Sequence, residues 1–465
     1  MPALRMIFLL ASGIWLITPA SAAEFVENSL QSEPFGVFND IEFVRHTGRF
    51  EGTTSLGEFS VPFEVVAPTD PADDTGTVLF EVPQWSFAPF GRELILGREL
   101  IFARGINYAS VGFGVDGGNI LDPTLPNPVI AGQPVVDPGR IRFSGPSDIE
   151  IIIKFVEAMR NAPNQVGLTG SIERLYAYGV SRSADTLIGI QQEVTGTIDA
   201  GLFDLTLLHN PAWAIQNPIL PRSPIREELG LGGQFVPPTD VGNVMFVLAE
   251  GDQLNFASEV FRAVDGLPGQ RIYEVAGAAH TPTVPQLAGT ETGDNPVDHF
   301  AVMRGIFVAG DHWMRHGIAP PPSTLLDSAP DGQIDPVHGF ETGIARDADG
   351  NALGGVRMPD LAIGQAQFIA SDPTSGAPLG IPFLAPLTGS HIDLECIPVA
   401  DDMAQLRKTR PGRHFGRFRN HGDYVSRFTR QAKRLVAEGF LLAADAEFLK
   451  TRAAESDVGK PRTCN

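Results

Sequence analysis

The sequence predicts an α/β fold: a mostly parallel central sheet with helices on both faces, followed by a C-terminal appendage. Three observations carry this expectation. Short apolar runs of strand length alternate with helix-periodic stretches between residues 77 and 275, and such alternation implies β-α-β units whose sheet is covered on both faces. One of these runs leads into Gly179-Val180-Ser181-Arg182-Ser183, a strand–turn–helix junction with small residues on either side of its tip. After His280 the pattern changes, and residues 323–420 are rich in Gly, Pro and Asp with few periodic runs.

Taken in chain order, the first 22 residues read as a signal peptide. Arg5 supplies the positive start, residues 7–17 the apolar stretch and Ala20-Ser21-Ala22 the cleavage site. The alternative, an N-terminal anchor, is disfavoured because the apolar stretch is short for a bilayer. Strands are expected at 50–55 and 58–67, broken by Pro68-Thr69-Asp70-Pro71. Residues 77–82 suit a buried strand and 107–113 the next, with helical spacing over 91–103 between them. The spacing predicts a helix over 147–160, opened by a Ser147/Glu150 capping box. A strand at 172–178, a helix at 182–192, and strands at 203–208, 243–249 and 271–275 follow, with a Pro-rich connection at 211–238 and a helix-like 258–264. Further helices are expected at 298–314, stopped by Gly317, and at 423–438, stopped by Gly439. The expected organisation is therefore a signal peptide (1–22), an α/β core (23–316) and an extension (317–465) that packs on the core and can belong to the same domain.

Composition narrows the partners. At 465 residues and 43% hydrophobic content the chain can bury a large core. Its formal net charge of −21 argues against nucleic acid, whose backbone is bound by clustered Lys and Arg. No later stretch has 18 uninterrupted apolar residues, so no integral membrane segment is expected in the mature chain. With the leader, this predicts a periplasmic or secreted protein. Cys396 and Cys464 are the two cysteines; an oxidising compartment would let them pair, and two unpaired thiols are the alternative.

The chemistry is expected at the carboxyl ends of the strands. Ser181 stands at the tip of the turn after the 172–178 run, where the residues two before and two after must be small. Gly179 and Ser183 satisfy that, with Ser183 replacing the second Gly of G-x-S-x-G. The bland reading is a helix N-terminus capped by Ser181 or Ser183. A serine hydroxyl needs a base, and His280 follows the last strand of the core on the small-residue loop 276–279. The acid should end the preceding strand. Ala249-Glu250-Gly251-Asp252 offers two carboxylates there; Asp252 is preferred as orienter of the imidazole and Glu250 is the alternative. An oxyanion hole would take one backbone N–H from Arg182 and another near Gln84 or Trp85, since Pro83 has none.

Two other patterns are weaker. Residues 347–351 resemble the start of a calcium loop but lack the later acidic ligand, so a hairpin turn is expected. His312 and His316 lie four apart on a predicted helix, but Trp313 stands where a zinc protease needs Glu, and no metal site is expected.

These residues resemble the bacterial, mostly secreted, alpha/beta hydrolase domain-containing proteins. The resemblance rests on YGVSRSADTL around Ser181, RIYEVAGAAH ending in His280, HWMRHGIAPPPS, DGNALGGVRMPDLAIG and DYVSRFTRQAKRLVAEGFLLAADAEFL, spread over 178–449. It implies the α/β-hydrolase fold and, by position, catalytic roles for Ser181 and His280. Members of the family often carry Gln where this chain has Arg182. The reading that follows is a serine hydrolase acting on small carboxylic esters without a cofactor. An acyltransferase with the same residues, or a non-catalytic binding protein on the same scaffold, are the alternatives.

Overall fold

Strands in which nearly every residue is apolar persist only where both faces of a sheet are covered, and the middle of this chain supplies them. The computed structural model describes residues 23–54, 57–83, 91–112, 129–130, 133–134, 146–194, 201–211, 242–256, 258–282, 295–372, 387–394 and 417–460. The leader, Gln84, Trp85, Cys396, Cys464 and residues 212–238 of the Pro-rich connection lie outside the described residues.

The N-terminal strands are β1 (Glu24–Phe25), β2 (Gln31–Phe38), β3 (Ile41–Thr54) and β4 (Gly57–Pro68). Next come β5 (Thr77–Glu81), β6 (Asn107–Val111) and a short pair, β7 (Val129–Ile130) and β8 (Gln133–Pro134). Then follow β9 (Arg174–Val180), β10 (Leu205–His209), β11 (Asn243–Ala249) and β12 (Gln270–Val275). The main sheet has the order β1-β3-β4-β6-β5-β9-β10-β11-β12, with β2 on β3. From β6 to β12 the neighbours are parallel; the N-terminal strands join antiparallel through β4.

β3 and β4 are longer than sequence patterning suggests, because they pair along their whole length, from Phe43↔Pro68 to Thr54↔Gly57. β2 has no clear alternation; it forms by pairing with β3, with a register shift between Pro34 and Gly36. Over 91–103 the expected helix is divided into a π turn, Gly91–Ile95, and α1 (Arg98–Phe102), with Gly97 at φ 84° between them.

Successive strand residues face opposite sides, and the core divides accordingly. Leu175, Ala177, Val244, Phe246 and Ile272 pack on one face with Ile152 and Phe155 of α2 (Pro146–Asn161) and Leu187 of α3 (Arg182–Val194). Because α2 starts at Pro146, Ser147 lies inside its first turn and not at its cap. Tyr176, Tyr178, Met245, Val247, Tyr273 and Val275 line the other face. Between β11 and β12 run α4 (Glu250–Phe256) and a 3-10 stretch, Ser258–Val264.

The second face is covered by α5 (His299–His316), whose N-cap Asp298 accepts from Phe300 N and Ala301 N and whose end is Gly317 at φ 68°. Beyond it the chain rejoins the sheet edge through bridges Tyr273↔Thr324 and Val275↔Val356. It then forms α6 (Pro359–Ala362), a hairpin of β13 (Ala366–Ile369) and β14 (Ser390–Asp393), α7 (His421–Ala437) and α8 (Ala443–Glu455). Leu326, Val356, Phe428 and Leu449 share one buried cluster with Tyr273, Val275 and Met303. Asp347 N bonds Asn351 O across a tight turn closed by the Arg346↔Ala352 bridge, a hairpin geometry. No helix among the described residues is long and apolar enough to cross a membrane.

Candidate active site

β9 ends at Val180, α3 begins at Arg182, and the single residue between them is Ser181 at φ 53°. A non-glycine residue held in the left-handed region costs roughly 1–3 kcal/mol and persists only where its surroundings enforce it. They do so here. Ser181 N donates to His209 O at 2.9 Å, and Ser181 O accepts from Ala184 N and Asp185 N, opening the helix. A Cβ on Gly179 would lie 2.6 Å from Ser183 O, so glycine is required for this close approach. Ser183, in place of the usual second glycine, uses its hydroxyl on the turn itself: Oγ accepts from Val180 N and donates to Val180 O, both at 2.8 Å.

His280 follows β12, and its Nε2 is 3.2 Å from Ser181 Oγ. Its Nδ1 is 2.5 Å from Asp252 Oδ1, and the second carboxylate oxygen, Oδ2, accepts from Ala249 N at 2.8 Å. Asp252 is fully buried, while Ser181 is half-buried. The Phe256 ring stands edge-on to the imidazole at 5.1 Å. Glu250 is also fully buried but turns elsewhere: Oε2 accepts from Gly277 N at 2.6 Å and Oε1 pairs with Arg346. Arg182 opens α3 with its side chain 3.7 Å from Asp185.

A hydroxyl, an imidazole and a carboxylate in one hydrogen-bonded line can pass a proton from oxygen to nitrogen while the carboxylate holds the ring. This line stands at the carboxyl ends of β9, β11 and β12, as open α/β sheets place their chemistry. A family model described as alpha/beta hydrolase domain matches residues 53–451. The chain belongs to the alpha/beta hydrolase domain family.

A comparison with curated protein sequences finds no match. Among solved structures, this hydrolase is similar to an esterase from Pyrobaculum calidifontis, at 11% identity over 49% of this chain and 74% of the other, TM-score 0.32. It is similar to a siderophore hydrolase from Aspergillus nidulans, at 17% identity over 50% and 89%, TM-score 0.29. An S-formylglutathione hydrolase from Agrobacterium tumefaciens matches at 10% identity over 52% and 88%, TM-score 0.32.

Sequence reasoning missed the polar groups beneath the site of this hydrolase. Asn210, at φ 46°, accepts from Ala249 N through Oδ1 and donates through Nδ2 to His280 O at 3.2 Å. Tyr178 Oη is 3.0 Å from His209 Nδ1, and His209 Nε2 is 2.8 Å from His299 Nδ1. Burial pushes His299 down to about 3, with a further push from the nearby His280, against the pull of the His280 and Ala279 carbonyls. His209 lies well below the usual histidine range, first through burial and then through His299 and His280. Both rings are therefore neutral near pH 7, and one arrangement satisfies them. Asn210 Nδ2, which can only donate, stands 3.4 Å from His299 Nε2, so Nε2 accepts; His299 Nδ1–H then donates to His209 Nε2, and His209 Nδ1–H to Tyr178 Oη.

At the end of β5, burial raises Glu81 to about 7 although it accepts from Gly91 N at 2.5 Å, Arg92 N at 3.0 Å and Tyr108 Oη at 3.0 Å. A strand-end Glu before an expected oxyanion loop was the one available signal.

Proposed function

We propose that this hydrolase cleaves small carboxylic esters through an acyl-enzyme on Ser181. The observation that carries the reading is the line Ser181 Oγ–His280 Nε2, 3.2 Å, and His280 Nδ1–Asp252 Oδ1, 2.5 Å, on a strained strand–helix turn. Ser181 Oγ attacks the ester carbonyl as its proton passes to His280 Nε2. Asp252 holds the ring so that Nε2 faces the hydroxyl, and it stabilises the imidazolium that forms. The oxyanion is met by the Arg182 N–H at the start of α3, where the helix dipole favours negative charge, and by a second N–H near Gln84 or Trp85. When the tetrahedral intermediate collapses, the C–O bond to the alcohol breaks and the alcohol oxygen takes the proton from His280. Water then attacks the acyl-enzyme, giving its proton to His280, and the acid leaves as the Ser181 hydroxyl is restored. Attack by an alcohol in place of water would make the same site an acyltransferase. Export directed by a leader over residues 1–22 would let Cys396 and Cys464 pair.

The test is labelling with a fluorophosphonate, which requires an activated serine, alongside hydrolysis of a graded series of p-nitrophenyl esters. The wild type should label at Ser181 and turn over. Ser181→Ala should not label and should lose several powers of ten in kcat, as members of a catalytic unit do. A folded wild type without labelling or ester turnover would leave a binding protein on this scaffold.

A further inference from the structure

Glu250 and Asp252 lie on the same first turn of α4 and are both fully buried, yet only Asp252 reaches His280. Glu250 grips the His280 loop by its backbone. Its Oε2 accepts from Gly277 N at 2.6 Å, at the residue where the loop turns with φ 75°. The turn is confined there, since a Cβ on Gly277 would lie 2.4 Å from Leu361 Cδ1. Asn295 Nδ2 holds the carbonyl of the same residue at 2.8 Å, and Gly251 N donates to Ala278 O at 2.9 Å. The acid-bearing helix and the histidine-bearing loop are thus laced together beside the Asp252–His280 contact.

A fully buried carboxylate cannot stay ionised without a partner, and the partner comes from the C-terminal extension. Arg346, with its side chain 3% exposed, pairs with Glu250 Oε1. Its other arm and Nε fork onto Asp335 Oδ2 at 2.6 and 2.8 Å. Asp335 is fixed in turn by Val337 N and Thr342 Oγ1, each at 2.8 Å. The guanidinium therefore bridges a hydrogen-bonded loop of the extension to a side chain that, like Asn210, joins the segments carrying Asp252 and His280. We propose that Arg346 is a positioning residue, which through Glu250 sets the distance between the loops carrying Asp252 and His280. This rests on the Ser181–His280–Asp252 reading, and it gives the extension a role in catalysis as well as in packing.

The test uses the full-length protein. Arg346→Lys keeps the charge but loses the planar fork. Glu250→Leu/Arg346→Met/Asp335→Asn removes all three charges, so neither carboxylate partner of Arg346 is left stranded. Two readouts are taken: kcat and KM with fluorophosphonate labelling rate, and amide hydrogen exchange over residues 275–282. Both variants should fold, exchange faster over 275–282, and lose roughly 10- to 100-fold in kcat and labelling rate with KM little changed, as misplacement of catalytic groups predicts. Folded variants with wild-type exchange and wild-type labelling would overturn the proposal. So would faster exchange with unchanged labelling, which would make Arg346 a brace of the fold only. Failure of the wild type to label at Ser181 would instead sink the triad reading, and exchange over 275–282 would still report whether Arg346 holds the loop.

Discussion

Asp252 Oδ1 meets His280 Nδ1 at 2.5 Å, while Glu250, two residues earlier, bonds Gly277 N and Arg346. The two carboxylates therefore differ in what their loss should do. Asp252→Asn keeps the shape but can present an amide N–H to Nδ1, favouring the wrong tautomer; kcat should fall by roughly 10³–10⁴ with the fold intact. Glu250→Gln keeps an acceptor for Gly277 N but breaks the charge pair with Arg346. It should cost about 3–5 kcal/mol of stability in the manner of a broken buried pair, and in kcat only the roughly 10- to 100-fold expected of misplaced catalytic groups, less than Asp252→Asn. Steady-state kinetics beside urea denaturation separates the two. A larger kcat loss in Glu250→Gln, with the protein still folded, would move the acid role to Glu250.

The buried pair His209 and His299 predicts acid sensitivity of the fold. Burial holds His299 at about 3, whereas an unfolded histidine titrates near ~6.5. Between those values the unfolded chain binds a proton that the folded chain refuses. Stability is thus fully present above pH ~6.5 and is lost as pH falls toward 3, with a slope of up to about 1.4 kcal/mol per pH unit for His299 alone. His209 is shifted the same way and adds to it. His299→Gln should flatten the stability profile over this window, read by denaturant midpoints at successive pH values. An unchanged slope would show that these rings do not control acid unfolding.

The leader and the cysteines share one measurement. The intact mass of the protein recovered from the periplasm or medium should lack residues 1–22. It should also be lighter by two hydrogens than the reduced form, with Cys396 and Cys464 joined. A mass that includes the leader would argue for an anchor, and an unshifted mass on reduction for two free thiols.

Asn243–Ala249 and the helix after Ser181 were readable from the sequence because each is decided by its own neighbours. A seven-residue apolar run between polar turns is too short for a buried helix and suits a strand covered on both faces, and a small–x–Ser–x–small turn between strand and helix needs no distant partner to be recognised. Chain order added the candidates Asp252 and His280, since the strands of a parallel sheet deliver their ends to one edge in sequence. The edges of elements were less legible. β2 exists only because β3 offers it a ladder, and β3 and β4 run as far as their mutual pairing allows.

What remained for the tertiary structure was every relation between groups far apart in the chain. The choice between Asp252 and Glu250 turns on side-chain direction within one helical turn, and Arg346 meets Glu250 across 96 residues. His209 and His299, 90 residues apart, become a neutral pair only when packing removes water from both rings. Local propensity and periodicity are properties of neighbouring residues, so the sequence determined the strands, the turn at Ser181 and the order of the candidate groups. Burial and charge pairing depend on which distant segments share a volume, so only the folded chain decided which carboxylate faces the imidazole and which cation holds the other.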